Sequence, residues 1–321
     1  MNVAIFEVKA WEQGMLKKEL SGMKLLFFKN SLDKVPLRKY KQADIISTFI
    51  GSEISKKTIQ NLSHLKLITT RSTGFDHIDL KAAKKYKVKV ANVPYYGENT
   101  VAEHAFALIL DLSRNIHKAY LRIKHGNFSI EGLKGFDLQG KTIGVIGCGH
   151  IGKHVIRIAK GFGMKVLMYD VKSKISLNEL LKNSDVITLH LPACKETKHI
   201  INRKNIKYIK KGAILINTAR GSLVETKALI KALDKKILSG LGLDVLEDEH
   251  LLSEEHHLAH RQQNNKKFAK LIKDHKLLKK DNVIYTPHIA FYSQEAVDRI
   301  TKTTIQNIKA FAKGKASNLV K

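Results

Sequence analysis

Arg220, Glu249 and His288 are the residues of this chain whose types could carry out a reaction together. A histidine exchanges a proton near neutral pH, and a carboxylate beside it favours the charged imidazole and holds its tautomer. A guanidinium presents a planar fork of donors that lysine cannot supply, suited to gripping a carboxylate. Each of the three follows an apolar run. Arg220 lies in Asn217-Thr218-Ala219-Arg220-Gly221-Ser222, Glu249 in Leu243-Asp244-Val245-Leu246-Glu247-Asp248-Glu249, and His288 in Tyr285-Thr286-Pro287-His288-Ile289-Ala290. Open α/β sheets place their ligands at the C-terminal ends of such strands. A lone arginine or histidine there is usually structural, but three in this order behind a nucleotide-binding loop read as a reactive set. Glu247 competes with Glu249 for the acidic position.

The nucleotide loop is Gly147-Cys148-Gly149-His150-Ile151-Gly152, which follows the run Thr142–Ile146 and is expected to open a helix over His154–Gly161. Gly147 permits a tight turn, Gly149 lets the backbone approach a pyrophosphate, and Gly152 allows close helix packing at a helix N-terminus that favours anions. Asp170, 23 positions after Gly147 at the end of the next run, can accept hydrogen bonds from ribose hydroxyls. It would repel a 2′-phosphate, so NAD is favoured over NADP. The side chains of Cys148 and His150 are expected to be bystanders.

Two series of apolar runs supply the elements that must hold these groups. Val3–Val8, Leu25–Phe28, Ile45–Ile50, Leu65–Thr70 and Val88–Val93 alternate with charged, helix-like segments, as parallel strands buried on both faces would. Thr142–Ile146, Val166–Tyr169, Val186–Leu191, Ala213–Asn217, Leu238–Val245 and Val283–Thr286 form a second series with the pattern of a doubly wound dinucleotide-binding domain. Between the series, Thr100 as N-cap with Glu103 completing a capping box predicts one helix of about 25 residues that stops near Gly126. Gln294–Phe311 predicts a helix returning the chain to the first series. The division expected is 1–99 plus 294–321 for one domain and 100–293 for the other.

His250–Asp281 contains no strand-like run and reads as an inserted helical or loop excursion. Its His256, His257 and His260, near Glu254 and Glu255, invite a metal reading. Contiguous histidines on a helix point to different faces, so no metal is expected. The charge is +28, from 57 basic and 29 acidic residues. Lysines are scattered and few aromatics are interleaved, which describes a solvated surface that attracts anionic ligands rather than a nucleic-acid site. No run approaches the ~20 apolar residues of a membrane span. The start Met1–Glu7 also lacks a basic segment followed by a long apolar one, so the chain reads as cytoplasmic, and with only Cys148 and Cys194 no disulfide framework is expected.

With these motifs in place, the sequence resembles the D-isomer-specific 2-hydroxyacid dehydrogenase family over nearly its whole length. Arg71-Ser72-Thr73-Gly74-Phe75-Asp76-His77-Ile78-Asp79 resembles the family's substrate loop, Gly147–Gly152 its cofactor loop and Asn217–Gly221 its arginine motif. Pro287-His288-Ile289-Ala290-Phe291-Tyr292 resembles the histidine motif in the form found in D-lactate dehydrogenases, and the 29 residues from Arg220 to Glu249 agree with the family pattern.

The resemblance implies an α/β fold of two doubly wound parallel-sheet domains, a flavodoxin-like substrate domain and a Rossmann NAD-binding domain, with the active site in the cleft between them. It implies hydride transfer between NADH and a small 2-keto acid, above all pyruvate. Hydroxypyruvate, glyoxylate or a bulkier keto acid is the alternative within the class, and an NAD-sensing corepressor the alternative outside it. Reduction needs a proton on the carbonyl oxygen from His288, a partner for that histidine in Glu249, and a clamp on the substrate in Arg220. Ser72, Thr73, Gly74, Tyr96 and Phe291 are implied at the substrate, with hinge packing as the other reading of Tyr96. Implied at NAD are Val101, Gly147, Gly149, His150, Ile151, Gly152, Tyr169, Asp170, Leu191, Pro192, Thr197, Thr218, Ala219, Arg220, Asp244, His288 and Ala290. His104 is expected to be packed, and a homodimer is implied.

Overall fold

The computed structural model describes residues 1–247, 249 and 275–320. The chain divides into two compact units, Met1–Tyr96 with Ser293–Lys321, and Gly97–Tyr292. The first is built from β1 (Asn2–Ile5), α1 (Ala10–Glu19), β2 (Lys24–Phe27), β3 (Ile45–Thr48), α2 (Lys56–Gln60), β4 (Leu67–Thr70), α3 (Leu80–Lys85) and β5 (Lys89–Ala91). Its strands form one parallel sheet in the order β2-β1-β3-β4-β5. Successive residues of each strand feed two separate cores. Ala4, Ile46, Ile68 and Val90 face one, while Val3, Ile45, Leu67 and Ala91 face the other. Burial on both faces is why the runs are continuously apolar instead of alternating.

The second unit opens with α4 (Glu98–Arg114) and α5 (Ile116–Lys124), and here the structure corrects the sequence expectation. The N-cap is Gly97, not Thr100, and the single long helix is two. Asn115 breaks it with φ +54, a left-handed conformation that asparagine tolerates. The Asn115 amide donates to the Leu133 and Lys134 carbonyls at 3.3 and 3.4 Å, and Asp111 Oδ1 accepts from the His117 N–H at 2.7 Å. These distant partners stabilise a break that local spacing does not announce.

There follow β6 (Thr142–Ile146), α6 (His150–Gly161), β7 (Lys165–Tyr169), α7 (Leu177–Asn183), β8 (Val186–Leu189), β9 (Ala213–Asn217), α8 (Thr226–Asp234), β10 (Leu238–Leu243) and β11 (Val283–Tyr285). The six strands make a second parallel sheet, β11-β10-β9-β8-β6-β7. Strand order reverses between β6 and β8, the place where such sheets open a ligand crevice. α6 begins at His150, four residues before the expected start, so the loop runs straight into its first turn. Of the expected excursion, 275–281 are described, with a helical stretch over 275–278 and Leu277 fully buried. His256, His257, His260, Glu254 and Glu255 lie outside the described residues. The chain then returns to the first unit as α9 (Gln294–Ala312), whose Ile305 and Ile308 join the core of β1 and α1.

A buried ion pair underlies the loop that leaves β4. Arg71 Nε lies 3.2 Å from Glu12 Oε1, and both side chains are at most 5% exposed. The guanidinium also donates to the carbonyls of Phe6 (2.7 Å) and Glu7 (3.1 Å) and to Ser47 Oγ (3.2 Å). Removing one member leaves an uncompensated charge inside the unit. Glu12→Ala is therefore expected to cost about 3–5 kcal/mol of stability. Urea denaturation followed by circular dichroism reads this directly, and a loss below about 1 kcal/mol, as for an exposed pair, would contradict it.

Candidate active site

The register of the second sheet sets Asn217, Leu243 and Tyr285 abreast on neighbouring strands, about 4.8 Å apart. Arg220 and His288 each follow their strand by three residues, and Glu249 follows by six. The Arg220 turn is folded by buried Asn217, whose amide donates to Arg220 O at 2.9 Å and whose Oδ1 accepts from the Ala219 N–H at 3.1 Å. The next residue must be glycine, because a Cβ on Gly221 would lie 1.9 Å from the Leu246 carbonyl oxygen.

His288 is held from below by Asp244, which is fully buried. The Asp244 carboxylate accepts from Thr286 Oγ1 (2.5 Å) and from the N–H groups of Ile289 (2.9 Å) and Ala290 (2.8 Å). Its carbonyl accepts from the His288 N–H at 2.9 Å. His104, from α4, lies 3.0 Å from Thr286 Oγ1 on the far side of this network. The bonds offset the strain of His288, whose φ is +54. Above the backbone, His288 Nδ1 meets Glu249 Oε1 at 2.6 Å. Glu247, the rival acid, is joined instead to His199. The acid on His288 is Glu249.

At the other end of the sheet, Gly147 has φ +95, and a Cβ there would come 2.7 Å from the His190 backbone. A Cβ on Gly152 would come 2.1 Å from Gly147 O, whereas one on Gly149 would meet nothing within 4 Å. The loop is thus packed tightly beneath and open above Gly149. Gly149 caps α6 without a side-chain bond, which leaves first-turn N–H groups of that helix for an anion. Tyr169 O accepts from the Gly147 N–H at 2.8 Å, and Asp170 accepts from the Cys148 N–H at 2.8 Å. An acidic group therefore sits on the rim of the loop, where ribose hydroxyls would arrive. Burial, reinforced by the Asp170 charge, pushes the Cys148 thiol up and keeps it protonated. The residues present fit a dinucleotide.

Thr197 Oγ1 donates to Pro192 O at 2.7 Å and closes the loop that Leu191 begins. Val101 is buried in α4, and buried Thr218 Oγ1 has no hydrogen-bond partner among the described residues. In the first unit, Ser72 Oγ donates to Gly74 O at 2.6 Å and Thr73 Oγ1 to Val93 O at 2.9 Å. Tyr96 O accepts from Arg299 Nε at 2.6 Å. In the second, the Phe291 and Tyr292 rings meet edge to face at 5.7 Å.

His190 and His199 in this region were not singled out by the sequence. His190 closes β8 against the glycine loop, its Nε2 is 2.8 Å from Thr188 Oγ1, and its buried Nδ1 has no partner among the described residues. Burial pushes its pKa from 6.5 down to about 3. Below pH 6.5 the unfolded chain binds a proton here that the folded chain refuses until about pH 3, so stability falls as pH drops through that window. The slope from this group is at most about 1.4 kcal/mol per pH unit. Urea midpoints of the wild type and His190→Gln should converge in their pH dependence above about pH 7 and diverge towards about pH 5. Parallel curves would contradict the buried neutral imidazole.

Residues 106–290 match the model of the D-isomer specific 2-hydroxyacid dehydrogenase NAD binding domain. The chain belongs to the D-isomer-specific 2-hydroxyacid dehydrogenase family. The dehydrogenase is 36% identical to D-lactate dehydrogenase of Escherichia coli, over 98% of each chain. It is 37% identical to a 2-hydroxyacid dehydrogenase homolog of Haemophilus influenzae, over 98% of this chain and 97% of the other. A crystal structure of D-lactate dehydrogenase from Aquifex aeolicus, complexed with NAD and lactic acid, superposes with a TM-score of 0.89 at 41% identity, covering 98% of this chain and 96% of that one. Membership makes the protein an oxidoreductase that uses NAD. Among the described residues, no helix is long and apolar enough to cross a membrane.

Proposed function

We propose that the dehydrogenase interconverts pyruvate and D-lactate, with His288 as acid and base, Glu249 as its partner and Arg220 as the substrate clamp. The observation that carries this reading is the 2.6 Å bond between His288 Nδ1 and Glu249 Oε1, at the C-terminal edge of the sheet that also bears Arg220. A histidine bonded through Nδ1 has Nε2 left to exchange a proton with the substrate oxygen, and the carboxylate fixes the ring's orientation throughout. Arg220 would grip the substrate carboxylate and polarise the adjacent carbonyl. When bound, NADH supplies the hydride and NAD accepts it. Gly147, Gly149, His150, Ile151 and Gly152 would hold its phosphates, and Asp170 its ribose. The other cofactor contacts and the substrate roles of Ser72, Thr73, Gly74, Tyr96 and Phe291 belong to the same proposal.

Pyruvate is favoured by similarity to D-lactate dehydrogenases along the full chain and by Phe291-Tyr292 after the histidine motif. The deciding experiment compares kcat/KM for pyruvate, hydroxypyruvate, glyoxylate and a branched 2-keto acid with NADH. Pyruvate should lead, and a clear preference for another acid would overturn the substrate assignment while leaving the reaction class intact.

A homodimer is part of the proposal. Ile116, Tyr120, Leu121 and Ile123 of α5, with Phe128 and Ile130 beyond it, are 53–86% exposed. Large apolar side chains exposed in one stretch of chain mark a surface that association covers. Light scattering should return twice the 36.2 kDa of one chain. A cytoplasmic location is proposed with it, in keeping with two unpaired cysteines.

A further inference from the structure

Glu247 is fastened as firmly as Glu249, but to different partners. Its Oε1 lies 2.6 Å from His199 Nε2, and its Oε2 accepts from the N–H (3.0 Å) and hydroxyl (2.9 Å) of Thr226, the first residue of α8. His199, in the loop after β8, has φ +52, rare for a residue with a side chain. Its N–H donates to Ser222 O at 2.9 Å. Two residues on, Ile201 donates to Leu223 O (3.2 Å) and accepts from the Glu225 N–H (2.9 Å). The His199 segment is therefore laced along the stretch that leaves Arg220, and Glu247 ties both to the stretch that carries Glu249.

Glu249 needs such a tie. It stands six residues past the end of β10, beyond the sheet's own hydrogen bonds. Its Oε2 accepts from the Leu246 N–H at 3.3 Å, so its placement depends on where Leu246 and Glu247 are held. Gly221, next to Arg220, passes beneath that same Leu246 carbonyl. Reacting groups must be kept within about 0.5 Å of their working geometry.

We propose that His199 and Glu247 form a positioning clamp, which registers the Arg220 turn against the Glu249 segment and so keeps Glu249 on His288. This rests on the acid-base reading of His288 and Glu249. Neither clamp residue touches the reacting atoms. The clamp acts through Glu249, and that separates it from a contact that merely stabilises the fold.

The test is a double-mutant cycle read by kinetics and by proton NMR. Glu247→Ala should lower kcat for pyruvate with NADH by about 10–100-fold, the scale of a 1 Å misplacement, while NADH affinity stays within about twofold. In a Glu249→Gln background, the same change should cost less than about threefold, because the residue it positions is already disabled. The downfield imidazole N–H resonance of His288, identified by its loss in His288→Gln, should broaden or move upfield in Glu247→Ala. His199→Ala, which removes one arm and leaves Thr226 bonded, should show the same pattern more weakly and serves if Glu247→Ala does not fold. Additive costs, or an unchanged resonance with only a lower melting temperature, would overturn the clamp. If the wild type reduces no 2-keto acid, the acid-base reading fails, and the resonance still reports on the clamp by itself.

Discussion

His288→Gln is expected to lower kcat for pyruvate reduction by about 10²–10⁴-fold, the range for a positioned acid-base group, with NADH binding within about twofold of the wild type. Glutamine has similar bulk and can still hydrogen-bond Glu249, but it does not deliver a proton near neutral pH. The backbone at this position is held by Asp244 through Ile289, Ala290 and the His288 N–H itself, none of which depends on the imidazole. The loss should therefore appear in turnover and not in folding. NADH oxidation gives the rate and NADH fluorescence the affinity. Retention of more than about a tenth of wild-type kcat would remove His288 from the acid role.

Arg220→Ala should reduce kcat/KM for pyruvate by about 10²–10⁴-fold, since it would delete the two charge-assisted hydrogen bonds proposed to the substrate carboxylate, worth about 1.5–3 kcal/mol each. Arg220→Lys restores the charge without the planar fork and should recover only part of the loss. The scaffold of the turn should survive either change, because Asn217 bonds the backbone of Arg220 and Ala219, whereas the guanidinium's bond into the turn is to the adjacent Ala219 carbonyl. NADH affinity and the unfolding midpoint should stay close to wild type. A loss confined to KM for NADH would leave Arg220 as a cofactor contact alone and the substrate carboxylate without its cation.

The fold was legible because burial on both sheet faces writes continuous apolar runs. Ile45-Ile46 and Leu67-Ile68 each send one residue to either core, so no alternation could disguise the strands. The glycine loop was legible because Gly147 and Gly152 answer steric demands that no other residue meets. What the residues did not announce depends on partners far along the chain. The break at Asn115 is stabilised by carbonyls of Leu133 and Lys134, and local periodicity sees only an uninterrupted apolar face. Spacing left Glu247 and Glu249 as rivals, and their separation comes from His199 reaching across from the loop after β8. His190 looked like one more residue at the end of an apolar run. Its neutrality follows from a buried Nδ1 that only the folded sheet creates.

The stereochemistry of the product decides whether the dehydrogenase makes D-lactate. Purified enzyme, pyruvate and NADH are incubated to completion and the lactate is resolved on a chiral column. One D-lactate per NADH consumed is the predicted result. L-lactate, a racemate, or NADH left unoxidised would contradict the proposed reaction.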